Sequence, residues 1–352
     1  MTQEQEKALS EIENKSTIPE GYIEVKLSTK GKYGAPEVFH VRDLSVEDVM
    51  DMSISDVEDL PIKVCNKLQS IIYENVDVKQ FFEQEVIETL LILYRKYYSK
   101  FMEFEYTPTK KDYDFIAKIN GGKDSEEYKK IVEAIKTKEY NPKLKINLDN
   151  LETYKVDENN IKKEIRVTKK NSNFSVVFTA PRYGDVCVIT EFIQKFYKEQ
   201  DKRWETIAQI VKMREEAEEQ LKNGEFDGNA FRKLPNVPKS ELDAYNEYRN
   251  EKILFSMKCV RAARLAEVNG QDIRNLSLTD KIKYSEDARL DYIMFKKVEE
   301  YFSKLEIGVK PTIKAENPVT GGVENIDVNF RVYEILAAFR DSDSDEYEFE
   351  FE

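Results

Sequence analysis

Three cysteines, one tryptophan and one histidine are all that this 352-residue chain contains of those types. Cys65, Cys187 and Cys259 are far apart and odd in number, which excludes a disulfide framework and points to a reducing compartment. The single histidine, His40, has no cysteine or carboxylate partners at ligand spacing, so no metal site is expected. Nor is a membrane span expected, because no stretch approaches the roughly 18 consecutive apolar residues one needs. The opening MTQEQEKALSEIENKS is polar and acidic, without the basic start and apolar core of a secretory signal. A glycine-rich phosphate cradle is missing too. Gly31–Lys32 in STKGKYG lacks the Ser/Thr and the helix that should follow, and Gly121–Gly122–Lys123–Asp124–Ser125 lies between charged segments; both read as turns. The serines have no nucleophile-elbow context. No cofactor and no catalytic residue is expected.

Charge and aromatic rings are plentiful. Charged residues make up 35% of the chain, and the net charge is −13. Self-repulsion at that charge favours solubility and argues against general affinity for nucleic acid. The 20 tyrosines and 19 phenylalanines suit interfaces as well as cores, because a ring brings large contact area at low entropic cost. The length allows two or three packed units.

One scheme occurs twice: an apolar helix, then two short strands. The first copy runs from a helix over Phe81–Tyr98 into a strand at 101–108, with a return strand at 143–154. The second runs from a helix over Lys281–Lys304 into 305–315, with a return strand at 323–334. Leu144, Ile146 and Leu148 alternate toward one face, as do Val323, Ile326, Val328 and Phe330, with one step out of phase. Residues 22–44 form a further hairpin, Ser45 caps a helix with Asp48 in its first turn, and Pro61 opens the next helix. Residues 160–168 and 173–180 form another hairpin. Helical patterns follow from Asp185 to Leu221 and from Ser240 to Asn269, where Asn269–Gly270 reads as the stop. The expected fold is α+β: small antiparallel hairpins packed with several long helices, with a duplicated helix–hairpin unit. The expected segments are 1–19, a hairpin/helix domain over 20–181 with a charged insertion at 109–141, a helical region over 182–305, a carboxyl-terminal hairpin over 306–340 and an acidic tail over 341–352.

Candidate chemistry is sparse. His40 is either a general base or, the ordinary outcome, a strand residue facing solvent or a hairpin neighbour. Asp43, Glu47 and Asp48, or Asp56, Glu58 and Asp59, read as helix-terminal charges rather than metal ligands, since no calcium-loop spacing is present. The cysteines sit on patterned helices, where a small buried thiol is usual. Lys258, Arg261 and Arg264 fall near one helical stripe that suits an acidic partner chain or a phosphate. Trp204 is an interface anchor or a partly buried core residue. The end, EYEFEFE, alternates Tyr347, Phe349 and Phe351 with glutamates. That period suits strand addition to a neighbouring subunit, and the charge suits a solubilising tail.

Three blocks carry a resemblance. IEVKLSTKGKYGAPEVFHVRDLSVEDVMDMS reads as an opening hairpin that enters a helix. VCNKLQSIIYENVDVKQFFEQEVIETLLILYRKYYS reads as a helical pair whose second member runs from Leu91 to Arg95 at its end. KLKINLDNLETYKV, with the later IKKEIRVTKKNSNFSVVFTAPRYGDV, reads as a strand before a hairpin that ends in Ala180–Pro181–Arg182. Taken in this order the chain resembles the baseplate hub proteins of T-even-type contractile-tailed bacteriophages. The piece VKPTIKAENPVTGGVENIDVNFRVYEIL resembles that family's final hairpin, although Asn317–Pro318–Val319–Thr320–Gly321 stands where relatives often carry a Cys-x-x-Cys-Gly knuckle. The resemblance spans most of the chain except 109–141 and the acidic tail.

What the resemblance implies is a non-enzymatic structural or assembly protein of a phage tail, in the baseplate hub region of the virion and in the host cytoplasm during assembly. Its partners would be other tail or baseplate proteins and copies of itself. Two alternatives are an assembly chaperone absent from the mature particle and a phage nucleic-acid-binding or transcription-associated protein using Lys258, Arg261 and Arg264. A metal-dependent enzyme using Asp and Glu is the third class.

Overall fold

A computed structural model describes residues 18–53, 59–137, 139–157, 161, 163–169, 174–222, 228–287 and 292–341. The architecture is α+β, and its strands pair antiparallel throughout. A hairpin of β1 (Tyr22–Lys26) and β2 (Val38–Arg42) leads into α1 (Val46–Ser53), α2 (Leu60–Ile71) and α3 (Glu83–Tyr97). Ser45 Oγ accepts from the Asp48 amide at 3.1 Å, and the Asp48 carboxylate accepts from the Ser45 amide at 3.0 Å. This reciprocal cap satisfies donors that a bare helix start would leave open. Pro61 occupies the first turn of α2, where its missing N–H is not needed.

β3 (Phe101–Glu105) and β4 (Lys143–Asn147) pair across an insertion that holds α4 (Lys110–Ile119) and α5 (Glu126–Lys136). Leu144, Ile146 and Leu148 are buried along one face, as their alternation requires. β5 (Glu164–Thr168) and β6 (Ser175–Thr179) come next. Then α6 (Tyr183–Lys222), the short α7 (Gly228–Lys233) and α8 (Lys239–Ala263) form a long arm.

The region from 240 differs from the sequence expectation. Instead of a helix to Asn269, α8 ends at Ala263, and β7 (Leu265–Val268) and β8 (Gln271–Asp272) follow. Asn269 and Gly270 are the two turn residues between them, both at positive φ (50° and 84°). That is the pairing a tight hairpin demands. β7 joins β6, giving a four-stranded sheet in the order β5-β6-β7-β8, so the helical region from 182 also supplies strands. The single helix expected over 281–304 is seen as α9 (Leu278–Asp287) and α10 (Tyr292–Phe302), with 288–291 outside the described residues. β9 (Thr312–Glu316) pairs with β10 (Val323–Asp327), and α11 (Val332–Asp341) replaces the far end of the expected return strand. Val323 is exposed rather than inward, whereas Ile326, Val328 and Phe330 are buried as expected.

Two apolar clusters result. The first unites β1, β2, α1, α2, α3, β3, β4, β9, β10 and α11, so the segment over 306–340 is part of the amino-terminal core rather than an appendage. Phe339 is fully buried with its ring edge-on to Tyr94 and Tyr98, at centroid distances of 5.0 and 4.8 Å. The second cluster packs Val176, Phe178, Leu265 and Val268 of the four-stranded sheet against Val298 and Phe302 of α10.

Two glutamates on the inner face of α3 lock the loop between β1 and β2. Glu85, fully buried, accepts from the amides of Gly34, Ala35 and Phe82 at 3.1, 3.0 and 2.9 Å. Glu88 accepts from the Ser28 amide and hydroxyl, both at 2.8 Å. Gly34 must be glycine, since a Cβ there would sit 1.9 Å from the Gln80 carbonyl oxygen.

Burial raises the Glu88 carboxyl above the ordinary glutamate value, more than its bonds to Ser28 lower it. The folded state therefore holds this proton more tightly than the unfolded chain. Stability from this site is full below the unfolded value and falls as pH rises through the raised one. Glu88→Gln should match or exceed the parent's stability at pH 7. The two proteins should converge below about pH 4, as urea melts at the two pH values would record.

Candidate functional site

Two hairpins present unpaired edges. Residues in an antiparallel pair alternate between facing the partner strand and facing away. The Tyr106 amide donates to the Pro142 carbonyl and the Leu148 amide to the Lys100 carbonyl, each at 2.8 Å. The even-numbered residues of β3 thus face β4, and the backbones of Phe101, Glu103 and Glu105 point away. In β10 the Val328 amide donates to the Pro311 carbonyl at 2.7 Å, which turns the backbones of Val323, Asn325 and Asp327 outward. Among the described residues no further strand pairs with either edge. β3 and β10 both line one groove of about 1840 Å³, together with the end of α3, the start of α4 and α11. Phe101 is part-exposed in it, with the ammonium groups of Lys145 and Lys100 at 5.2 and 5.5 Å from its ring. Both signs of charge line the groove, with Lys110, Lys111 and Arg331 beside Glu103, Glu105 and Asp327.

A buried polar knot lies behind the groove and reaches it through Tyr106 and Thr109. Asp112 in the first turn of α4 accepts from the Thr109 amide and hydroxyl at 2.6 and 2.8 Å, and from the Tyr106 hydroxyl at 2.7 Å. Asn317 donates to Asp112 and to the Tyr106 oxygen at 2.7 and 2.9 Å. Its carbonyl oxygen accepts from the Val319 and Thr320 amides at 2.8 and 3.1 Å, so the turn between β9 and β10 is closed by an amide side chain. Burial, and then the bond to Asp112, pushes Tyr106 up to about 12. Burial opposes ionisation of Asp112, but the bonds from Thr109, Tyr106 and Asn317 outweigh it and hold its carboxyl low. The knot ties the insertion to the carboxyl-terminal hairpin.

The second feature is the helical arm. With 40 residues, α6 is about 60 Å long. α8 returns antiparallel to it: Phe196 stacks on Phe255 at 4.6 Å, Trp204 on Tyr248 at 6.0 Å, and Arg214 donates to the Pro235 carbonyl at 3.1 Å. Trp204 is thus half-buried between the two helices, beside Tyr245 and Tyr248. A shallow groove of about 930 Å³ runs along this seam.

The basic trio is not a free stripe. Lys258 pairs with Glu286 at 3.1 Å on the surface. Arg261 lies 5.1 Å from the Phe295 ring. Arg264, read as a surface contact residue, is 3% exposed at the end of α8. Its Nε donates to the Thr179 carbonyl at 3.2 Å, its Nη1 meets Glu299, and its guanidinium lies 4.9 Å from the Phe302 ring. Burial pulls its pKa down, while Asp185 opposes the shift. The reason is the strand after α8, which draws Arg264 under the sheet. Tyr347, Phe349 and Phe351 lie outside the described residues.

His40 Nδ1 contacts Glu74 at 2.5 Å, and its amide donates to the same carboxylate at 2.8 Å. Glu74 follows α2, so the ring pairs with a residue from outside the hairpin, in which Glu24 is the facing neighbour. Asp48 caps α1 and pairs with Lys67 at 2.6 Å, Asp59 meets Gln194, and Asp56 and Glu58 lie outside the described residues. All three cysteines are buried. The Cys187 thiol, pushed up by its hydrogen bond with Cys65 and by burial, joins α6 to α2. Among the described residues no group of three or more His, Cys, Asp or Glu side chains converges in a manner that could hold a metal ion, and no helix is long and apolar enough to cross a membrane. The sequence reading missed the outward face of α8, where Ile253, Leu254 and Met257 are 54%, 60% and 42% exposed. The signal was available: these three fall on the side of the helix opposite Phe255 and Cys259.

Comparison with protein-family models, with curated proteins and with solved structures finds no match to this chain.

Proposed function

We propose that this chain is a non-enzymatic structural or assembly protein of a contractile phage tail, in the baseplate hub region, and that it works by offering surfaces to other tail proteins. The observation that carries the reading is the groove bounded by two unpaired strand edges, β3 and β10. An extended segment of a partner laid along β3 gains backbone hydrogen bonds, and rings such as Phe101 supply contact area. The resemblance of the sequence blocks to baseplate hub proteins names the kind of partner.

Glu103→Pro tests the reading. The Glu103 amide faces away from β4, so proline there leaves the β3–β4 ladder intact and removes an outward donor. The parent protein, used as bait in lysate of cells infected by the phage that encodes it, should enrich identified tail or hub proteins. The variant, folded by circular dichroism, should lose at least about tenfold of that enrichment, the equivalent of roughly one or two backbone hydrogen bonds. Recovery of no tail protein by the parent, or full recovery by the variant, overturns the reading.

A further inference from the structure

Ile253, Leu254 and Met257 are each exposed, and they adjoin one another. Single exposed apolar residues are ordinary, whereas three neighbours on one helix face are an interaction signal. At about 100° per residue they span an arc of roughly 100°, with Leu254 and Met257 on the side of α8 turned away from α6 and Ile253 at the rim of the groove along the α6–α8 seam. Phe255, Cys259 and Tyr245, which pack inward, occupy the other side.

Charges of both signs are exposed on α8 before the apolar trio, Asp243, Glu247 and Glu251 together with Lys239 and Arg249, and Lys258 is exposed just after it. Glu251 and Lys258 are seven residues apart, so they fall within about 20° of each other on one flank of the trio. The flank that carries Glu251 and Lys258 is complementary to itself run backwards. Around a two-fold axis near Phe255, Ile253 meets Met257 of the partner subunit, and Glu251 meets Lys258 of the partner subunit, twice by symmetry. The present contact of Lys258 with Glu286 is an exposed pair, 52% and 56% accessible, and exposed pairs are weak enough to exchange.

We infer that the outward face of α8 is a self-association surface, on which a second copy of this chain docks its own α8 antiparallel. This deepens the reading of the chain as a contact-making assembly protein and rests on it. The arm then serves copies of the chain, and the groove at β3 and β10 serves other proteins.

Sedimentation velocity on the full chain, up to about 100 µM, is the test. The expected result is a concentration-dependent shift from monomer to dimer. Leu254→Glu, a change at an exposed position, should weaken dimerisation at least about tenfold while leaving the circular dichroism spectrum unchanged. Glu251→Lys and Lys258→Glu should each weaken it about threefold, and the double variant should recover the parent's behaviour. A chain that stays monomeric throughout, a dimer indifferent to Leu254→Glu, or a charge swap that fails to recover overturns the proposal. So does a monomer whose Leu254→Glu variant loses capture of a tail protein, because the face then belongs to that protein. The two readings fail separately: a monomer that still captures tail proteins through the β3 edge loses only the self-pairing, and a dimer that captures none loses only the tail assignment.

Discussion

Phe339→Ala should lower the free energy of unfolding by about 3–5 kcal/mol, the usual range for emptying a fully buried phenylalanine site. The ring has no exposed surface, and it sits edge-on to Tyr94 of α3 and to Tyr98 just past its end. Those partners belong to the first core, together with β1, β2 and α2. The loss should therefore appear in the main urea transition, not in a separate early one. A variant that loses only α11 helicity, with the main midpoint unmoved, would show that 306–340 is an independent unit after all. The sequence expectation set 306–340 apart as a carboxyl-terminal hairpin, and the measurement decides whether it unfolds with the first core.

Glu85→Ala should cost about 4 kcal/mol. Its carboxylate serves the amides of Gly34, Ala35 and Phe82 in a site closed to water. Leaving buried donors without acceptors costs roughly 1–3 kcal/mol each, and relaxation of the loop recovers part of the sum. Glu85→Gln retains one acceptor oxygen and should lose about half as much. The contrast with Glu88→Gln, expected to be neutral or stabilising at pH 7, is instructive. One carboxylate satisfies three otherwise stranded amides, whereas the other has only the Ser28 amide and hydroxyl to offset its burial. Paired melts of the three variants would separate those roles. A Glu85→Ala loss under about 1 kcal/mol would mean that the loop finds other acceptors.

Much of this fold was legible because local signals and packing agree. The Ser45–Asp48 cap, Pro61, the alternation of Leu144, Ile146 and Leu148, and the Gly-rich turn before β2 each have a single local meaning. The stretch after Arg261 was read wrongly because propensity and tertiary pairing disagree there. RAARLAEV favours helix on composition, yet Leu265 and Val268 gain more by joining β6 than by extending α8. The Asn269–Gly270 pair fits both a helix stop and a two-residue hairpin, and only the presence of β6 alongside decides. Arg264 then follows the strand into the interior, which is why its place on a helical stripe misled. The joining of the amino-terminal core to 306–340 could not be read at all, because no local pattern records which distant face a buried helix meets. Of the candidate surfaces, Trp204 was visible as a residue type. The outward arc of α8 was readable as the side opposite Phe255 and Cys259, whereas the β3 edge needed the ladder register.

The first core draws most of its members from two stretches far apart in sequence, 25–148 and 313–339, with the four-stranded sheet and the long arm strung between them. During synthesis β1, β2 and the three helices that follow must wait for the residues between Tyr97 and Phe339 before Phe339 leaves the ribosome to seal them. Contacts so distant in sequence are slow to form, and the waiting half exposes apolar surface meanwhile. This molecule should therefore lean on holding factors early in its life, and its yield in a foreign host should rise when translation and growth temperature are slowed together.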